Sequence, residues 1–277
     1  MNPSAIRLLG SLLLWMLAIA GTAEPPAQSL KRENTNGNSQ QVAEGEARDA
    51  AATGKHETRQ VSGWTLHIHR ELLAAKPELT DRAFGLLQTQ LEEIVQAVPP
   101  VAVAELQKVP LYFSPEYPGT RPRAEFHPAA GWLREHGRDP EMAKGVEFTN
   151  IGIFAAETRR MPNFALHELA HAYHNRVLPD GFANPAIRAA YEHAKASGNY
   201  EQVDRRDSKG QTRRDRAYAL SDAMEYFAET SEAYFTRNDF YPFDREELRE
   251  HDPRMFALLG KLWRVPSSMH DRRESQR

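Results

Sequence analysis

The chain has 277 residues, of which 40% are hydrophobic and 26% charged, values typical of a globular protein that can bury a core. Its 35 Lys and Arg residues nearly balance its 38 Asp and Glu residues, so the charge predicts no binding to nucleic acid or to an anionic membrane. Because there is no cysteine, disulfides, zinc fingers, iron–sulfur clusters and thiolate catalysis are excluded, and any metal ion must be bound by His, Asp or Glu.

The first 23 residues have the pattern of a secretory signal peptide. Arg7 is the only charge before Glu24, and an apolar run over residues 8–20 is followed by small residues up to Ala23. A helix that spans a bilayer needs about 20 apolar residues, and an uncleaved anchor is the alternative. Cleavage after Ala23 predicts a secreted or periplasmic protein that has no stable membrane span.

The segment after this signal is poor in residues that build a core. Residues 24–60 contain no aromatic side chain, and Leu30 and Val42 are their only large aliphatic residues. Such a segment buries too little apolar surface to offset the entropy cost of ordering it, so we predict a disordered spacer. A folded domain is predicted over residues 61–266, followed by a polar tail over residues 267–277.

Within the predicted domain, strand patterns precede most of the helical ones. Residues 64–69 alternate apolar and polar side chains, the period of a strand. The pattern next predicts a helix over 80–98, a strand over 109–113, an irregular excursion over 114–145 with one short helix, and a strand over 146–154. From Pro162 the pattern is helical to the end of the domain. Strands followed by helices predict an α+β fold.

The chain contains the pattern HELAH, in which His167 and His171 stand four residues apart. Pro162 suits the first turn of a helix around this pattern, and Pro179 ends it. On a helix the two imidazoles lie on one face, where they can bind one zinc ion. Glu168 lies about 100° further round, beside the ion, where its carboxylate can act as general base. Two solvated histidines on a surface helix are the alternative.

A catalytic zinc ion needs a third protein ligand and an open fourth position. One arrangement, HExxHxxGxxH, fails here because His174 stands in place of the glycine and Val177 in place of the third histidine. The third ligand must therefore come from another part of the chain. The best candidate is the helical segment 218–235, whose flanking aromatic residues predict that carboxylates within it are buried and need a positive partner.

Three glutamates follow one another in this segment at positions i, i+4 and i+7. They are Glu225, Glu229 and Glu232, and all three fall on one helical face. We predict Glu225 as the third zinc ligand and Glu229 as the acceptor of the free N–H of a ligand histidine. A shift by one turn, with Glu229 as the ligand, is an alternative, and a solvated acidic stripe is another.

Two more side chains fall near the predicted ligands. Tyr218 lies two turns before Glu225 if the helix extends that far, where its phenol can stabilise an oxyanion; a buried aromatic residue at the helix start is the alternative. His174 stands about 10 Å along the helix axis from His167, too far to share one ion with it, so we predict that it supports a ligand or lines the pocket, or is structural. The scattered histidines are not predicted to be ligands: His67, His69, His127, His136 and His193.

The pattern HELAH, followed about fifty residues later by YALSDAMEYFAE, resembles the lethal-factor-like branch of the gluzincin metallopeptidases. That branch has a Tyr seven residues before its zinc-binding Glu, followed by a Phe/Ala/Glu segment. The motifs cover residues 146–236, and the overall pattern covers 61–265. The resemblance implies a zincin-like fold, with a small mixed sheet before a helical half in which the active-site helix and the ligand-Glu helix pack together.

The resemblance also implies site roles for this sequence. They are zinc ligation by His167, His171 and Glu225, general base catalysis by Glu168, a neighbouring position for Glu229, and a Tyr218 hydroxyl directed at the catalytic water. The chain is also similar to small secreted bacterial proteins of unassigned function. It lacks the large delivery and recognition domains of the toxin, so activity on host kinases is not implied.

Together these features predict a secreted zinc endopeptidase that binds one Zn²⁺ ion and a peptide or protein substrate and acts as a monomer. The strand at 146–154 is expected to be a sheet edge that pairs with an extended peptide. A non-catalytic binding protein stabilised by zinc is one alternative, although a scaffold has no need of Glu168. A metal-dependent cell-wall amidase, which differs only in its pocket, is the other.

Overall fold

The computed structural model describes residues 54–266. The predicted signal peptide, residues 24–53 of the predicted spacer and the predicted polar tail lie outside these residues. The sequence predicts that the spacer runs to residue 60, but the chain already forms a strand over His56–Val61. The boundary is wrong because strand pairing with residues 64–69 satisfies the backbone of this polar segment, which needs little apolar surface of its own.

The fold is α+β, as the sequence predicts, with strands concentrated before the helical half. The strands are β1 (His56–Val61), β2 (Trp64–His69), β3 (Leu111–Phe113), β4 (Ala124–Phe126), β5 (Val146–Phe148), β6 (Val203–Arg206) and β7 (Thr212–Asp215). The α-helices are α1 (Arg70–Ala75), α2 (Pro77–Ala97), α3 (Pro100–Leu106), α4 (Ala130–Glu135), α5 (Phe154–Arg160), α6 (Phe164–Arg176), α7 (Pro185–Ser197), α8 (Ala223–Phe235), α9 (Arg245–His251) and α10 (Pro253–Leu262). No helix among residues 54–266 is long and apolar enough to cross a membrane.

Five strands form one mixed sheet in the order β1-β2-β3-β5-β4. The two central pairings, β2 with β3 and β3 with β5, are parallel, whereas the outer strands β1 and β4 each pair antiparallel with their neighbour. The alternating side chains of β2 bury Trp64, Leu66 and Ile68 completely. These side chains pack into a core shared with helices α2, α6 and α8.

The strand predicted over 146–154 ends after three residues. Asn150 turns the backbone (φ −89°, ψ 25°), a 3-10 turn follows over Ile151–Ile153, and α5 begins at Phe154. Asn and Gly are poor strand residues, and Asn150 and Gly152 both fall in this stretch. Strand β5 is also interior, between β3 and β4, so the prediction that this segment is the sheet edge is wrong.

The predicted helical half also contains a two-stranded hairpin, β6 with β7. Asp207 begins its turn and accepts hydrogen bonds from the N–H groups of Lys209 and Gln211, while Gly210 supplies a positive φ of 76°. The sequence Asp-Ser-Lys-Gly is a turn signal of this kind, but no apolar alternation flanks it. The hairpin is therefore visible only through its turn.

Candidate metal centre

Helix α6 carries the HELAH pattern with its apolar stripe buried. Asn163 caps the helix, since its side-chain oxygen accepts a hydrogen bond from the N–H of Leu166 at 2.9 Å. The helix begins at Phe164, two residues after Pro162, and its last residue is Arg176. Leu166 is fully buried, and His167 and His171, on a neighbouring face of the helix, contact Glu225 of helix α8.

Helix α8 carries the acidic residues and is shorter than the predicted segment 218–235. It begins at Ala223 because Asp222 caps it, accepting hydrogen bonds from the N–H groups of Met224 (2.7 Å) and Glu225 (3.0 Å). Tyr218 is therefore not on this helix, and lies in a 3-10 turn over Tyr218–Leu220. The cap fixes the direction of the first helical turn, which contains Glu225.

The two helices bring the three predicted ligands together. His167 Nε2 lies 3.2 Å from His171 Nε2 and 3.0 Å from Glu225 Oε2, and His171 Nε2 lies 3.3 Å from the same oxygen. Ligand atoms of a tetrahedral zinc ion with bonds of about 2.0 Å stand about 3.3 Å apart. The triangle of two nitrogens and one oxygen therefore has the size that a metal ion needs, and these residues could hold one.

The charges around this triangle are strongly coupled. Burial alone would lower the pKa of His167, but the carboxylates of Glu225 and Glu232 outweigh burial and raise it well above its ordinary value. Burial alone would raise the pKa of Glu225, but His171 and His167 hold it far below its ordinary value. The site thus stabilises a negative charge on Glu225 and a positive charge on His167, and a bound cation would take the place of that positive charge.

The acceptor behind His167 is Glu232, one turn further along α8 than the predicted Glu229. Nδ1 of His167 lies 2.9 Å from Glu232 Oε2 but 3.7 Å from Glu229 Oε1. A carboxylate accepts, so Nδ1 donates its hydrogen to Glu232, and Nε2 is the ring atom that faces the triangle. The prediction that Glu229 has this role is therefore wrong. Glu229 instead accepts a hydrogen bond from Asn238 Nδ2 at 3.1 Å.

The carboxyl groups of Glu229 and Glu232 are almost fully buried, and each has a raised pKa. Burial, with Asp239 nearby, raises the pKa of Glu232 to about 7, although the hydrogen bond with His167 opposes this shift. Burial together with the negative charges of Asp239 and Glu232 raises the pKa of Glu229 well above its ordinary value. Glu229, Glu232 and His167 form a second cluster that could hold a metal ion, and it shares His167 with the first.

Glu168 lines the same cavity as the three residues of the triangle, and its carboxylate contacts the sheet. Its Oε2 accepts a hydrogen bond from the main-chain N–H of Phe126 in strand β4 at 2.8 Å. β4 is one of the two edge strands of the sheet and packs against α6. This strand lies in the predicted irregular excursion and is not predicted from the sequence, because three residues are too few to show an alternating pattern.

Tyr218 and His174 have different surroundings. The Tyr218 hydroxyl lies 3.3 Å from Glu225 Oε1, although its side chain is half exposed, and burial and the charge of Glu225 raise its pKa above the ordinary value. His174 is fully buried, packs against Phe182 and Phe227, and neither ring nitrogen has a hydrogen-bond partner among the described residues. Burial lowers the pKa of His174 to about 4. It neither supports a ligand nor lines the cavity, so the structural alternative holds.

A cavity of about 620 Å³ opens over the triangle. Its apolar lining includes Phe126, Met161, Phe182, Met224 and Phe240, and its polar lining includes Asn150, Arg160, Arg205 and Asp239. Asp239 Oδ2 accepts hydrogen bonds from Arg160 (3.0 Å) and Arg205 (3.2 Å), so both guanidinium groups are held at the wall. The buried Oδ1 of Asn150 has no partner among residues 54–266. Asn150, Arg160 and Arg205 carry no signal in the sequence that predicts this role, since they come from three separate segments of the chain.

No protein-family model, no curated protein and no solved structure matches the chain. The geometry of the centre therefore carries the functional argument.

Proposed function

We propose that the chain is a secreted zinc metallopeptidase of the gluzincin type that hydrolyses peptide bonds with Glu168 as the general base. The observation that carries this proposal is the triangle of His167 Nε2, His171 Nε2 and Glu225 Oε2 beside the cavity. Two imidazoles and one carboxylate are a ligand set of catalytic zinc sites, which leave a fourth position open. The resemblance of HELAH and YALSDAMEYFAE to the lethal-factor-like branch supports the same function.

The chain's own residues supply the remaining parts of the chemistry. When bound, zinc would polarise a water molecule and the scissile carbonyl group and lower the pKa of that water toward about 7. Glu168, held beside the triangle, would take a proton from the attacking water and pass it to the leaving amine. The Tyr218 hydroxyl, which donates its hydrogen to Glu225 Oε1 at 3.3 Å, would turn that hydrogen to the developing oxyanion.

An extended peptide is the substrate shape that the surroundings of the centre support best. Strand β4 is an open sheet edge, and its residues Ala124 and Phe126 line the same cavity as His167 and Glu168. An open edge offers main-chain N–H and C=O groups to which an added strand can bind. A peptide bound in this way would lie along the cavity that also holds the candidate metal centre, which favours peptide hydrolysis.

The decisive experiment compares Glu168→Gln with Glu192→Gln, which changes an exposed glutamate of α7. We expect E168Q to retain one zinc ion per chain, because Glu168 is not a ligand, and to hydrolyse a peptide library at least about 100-fold more slowly than wild type. E192Q should match wild type in both respects. Metal content is measured by atomic emission and hydrolysis by mass spectrometry of the digested library.

Two results would count against the proposal. Peptide hydrolysis by E168Q at the wild-type rate excludes Glu168 as the base. One bound zinc ion without hydrolysis of any peptide by the wild-type chain excludes the peptidase. Parallel digestion of peptidoglycan fragments then distinguishes an amidase, which cleaves them, from a binding protein, which does not.

A further inference from the structure

Strand β4 presents alternate main-chain groups to its neighbour and to the cavity. Two main-chain hydrogen bonds flank the pairing of β4 with β5. The N–H of Thr149 donates to the C=O of Arg123, and the N–H of His127 donates to the C=O of Gly145. Arg123 and His127 therefore direct these groups toward β5. In an antiparallel ladder, every second residue directs both its N–H and its C=O away from the partner strand. Ala124 and Phe126 therefore direct these groups toward the open edge.

Of these two outward N–H groups, only that of Phe126 has a side-chain partner within the described chain. It donates to Glu168 Oε2 at 2.8 Å, whereas no hydrogen bond of this kind joins the Ala124 N–H to another described residue. Glu168 has three rotatable side-chain bonds and is only partly buried, so packing alone does not fix the direction of its carboxylate. The hydrogen bond from the Phe126 N–H holds Oε2 of Glu168 and leaves Oε1 outside this contact.

We propose that the main-chain N–H of Phe126 is a positioning group for Glu168, and that strand β4 therefore orients the general base as well as offering an edge to the peptide. This inference rests on the proposed function. It divides the edge between two tasks: the Phe126 N–H holds Glu168, and the groups left for a peptide are the N–H and C=O of Ala124 and the C=O of Phe126.

The division predicts different kinetic effects for the two N–H groups. A fixed carboxylate matters when the proton moves, so loss of the Phe126 N–H should lower kcat and leave KM nearly unchanged. The Ala124 N–H contacts bound peptide in both the ground state and the transition state. Its loss should raise KM and leave kcat nearly unchanged.

Proline removes either N–H without removing a ladder hydrogen bond, because both groups point away from β5, and edge strands tolerate proline at such positions. Phe126→Pro also removes a buried ring that contacts Phe182, so the matched control is Phe126→Ala, which loses the ring and keeps the N–H. In the zinc-loaded full chain we expect kcat of F126P to be about 10- to 100-fold below that of F126A, with KM within about twofold. Equal kcat values for F126P and F126A would overturn the proposal.

Ala124→Pro is the second variant and tests the role of the Ala124 N–H. We expect its KM to rise and its kcat to stay near that of wild type. A rise in KM for F126P, with kcat equal to that of F126A, would mean that the Phe126 N–H binds peptide instead of Glu168, and would also overturn the proposal.

An activity-independent measurement separates this inference from the proposed function. In the zinc-loaded chain, the Phe126 amide hydrogen should exchange with solvent at least about tenfold more slowly than that of Ala124, because only the former is hydrogen-bonded. Glu168→Ala should remove this difference. Equal exchange rates in the wild-type chain overturn the inference even if peptides are hydrolysed. A wild-type chain that hydrolyses no peptide refutes the proposed function, while the exchange rates still decide whether Glu168 is anchored.

Discussion

The three glutamates of helix α8 have three different environments, although neighbouring ones are only three or four residues apart in the sequence. Glu225 contacts both imidazoles, Glu232 accepts from the far nitrogen of His167, and Glu229 binds Asn238. The neutral form of a buried carboxyl group is favoured by burial and by nearby negative charge, which explains the raised pKa values of Glu229 and Glu232. Only Glu225 is held firmly ionised, as a metal ligand must be.

This difference predicts unequal effects of two isosteric substitutions on zinc affinity. Glu232→Gln weakens the acceptor that orients His167, so we expect its zinc dissociation constant to rise about 10- to 100-fold. Glu229→Gln removes no contact shorter than 3.7 Å to a ligand, and should change the constant by less than about threefold. Competition titration with a zinc chelator measures both constants. A larger effect of E229Q than of E232Q would reinstate Glu229 as the acceptor.

The sequence can identify the residues of this centre more readily than their pairing. HELAH indicates His167 and His171 through helical spacing alone, and the pattern of glutamates limits the third ligand to Glu225 or Glu229. Glu229 and Glu232 lie within about 60° of each other around α8, so either could face the ring of His167. Which one reaches Nδ1 depends on the angle and axial shift between α6 and α8, and these are set by long-range packing.

At the scale of elements, the packing of α6 on α8 places the two histidines of one helix against the carboxylates of the other. In the metal-free protein this arrangement favours a proton on His167, because Glu225 and Glu232 outweigh the effect of burial on its pKa. In the proposed zinc site, His167 would have to offer a lone pair at Nε2, so zinc and this proton would compete for the same atom.

Zinc binding should therefore release protons and weaken as the pH falls. The pKa of metal-free His167 is raised, so the proton competes at neutral pH, and each unit of pH below that pKa should raise the apparent dissociation constant about tenfold per proton released. Glu225 stays ionised in this range because its pKa is lowered. Calorimetry in two buffers of different ionisation enthalpy counts the protons. Zinc affinity that does not change between about pH 6 and pH 8 would contradict this competition.

The elements that position the site differ in how far the sequence predicts them. The long helix α2, strand β2 and helix α6 follow from periodicity, because each buries one regular face. Strand β4 has three residues and gains its pairing from β5, so its local sequence contains too little information. The break between Tyr218 and α8 depends on Asp222, an N-cap residue that interrupts an otherwise helical pattern.

At the scale of the whole molecule, a chain without cysteine must be stabilised by its core and by buried hydrogen bonds. Most of the buried apolar side chains among residues 54–266 form one cluster that joins the sheet to the helical half. One buried carboxylate connects three segments of that half. Asp252 caps α10 through the N–H of Met255, and its Oδ2 accepts hydrogen bonds from the hydroxyls of Tyr200 (3.2 Å) and Tyr226 (2.5 Å).

The hydrogen bonds of Asp252 should contribute more to the free energy of unfolding than a helix cap alone. Asp252→Ala removes the cap and leaves the buried hydroxyls of Tyr200 and Tyr226 without their acceptor, so we expect the free energy of unfolding to fall by about 3 kcal/mol or more. Asp244→Ala is the matched control, since Asp244 caps α9 through two N–H groups without a buried tyrosine partner, and should cost about 1 kcal/mol. Urea denaturation of the zinc-loaded chains measures both losses. Tyr226 is on α8, so these hydrogen bonds also hold the helix that carries the glutamates. A loss of stability in D252A no larger than that in D244A would show that apolar packing alone holds the three segments together.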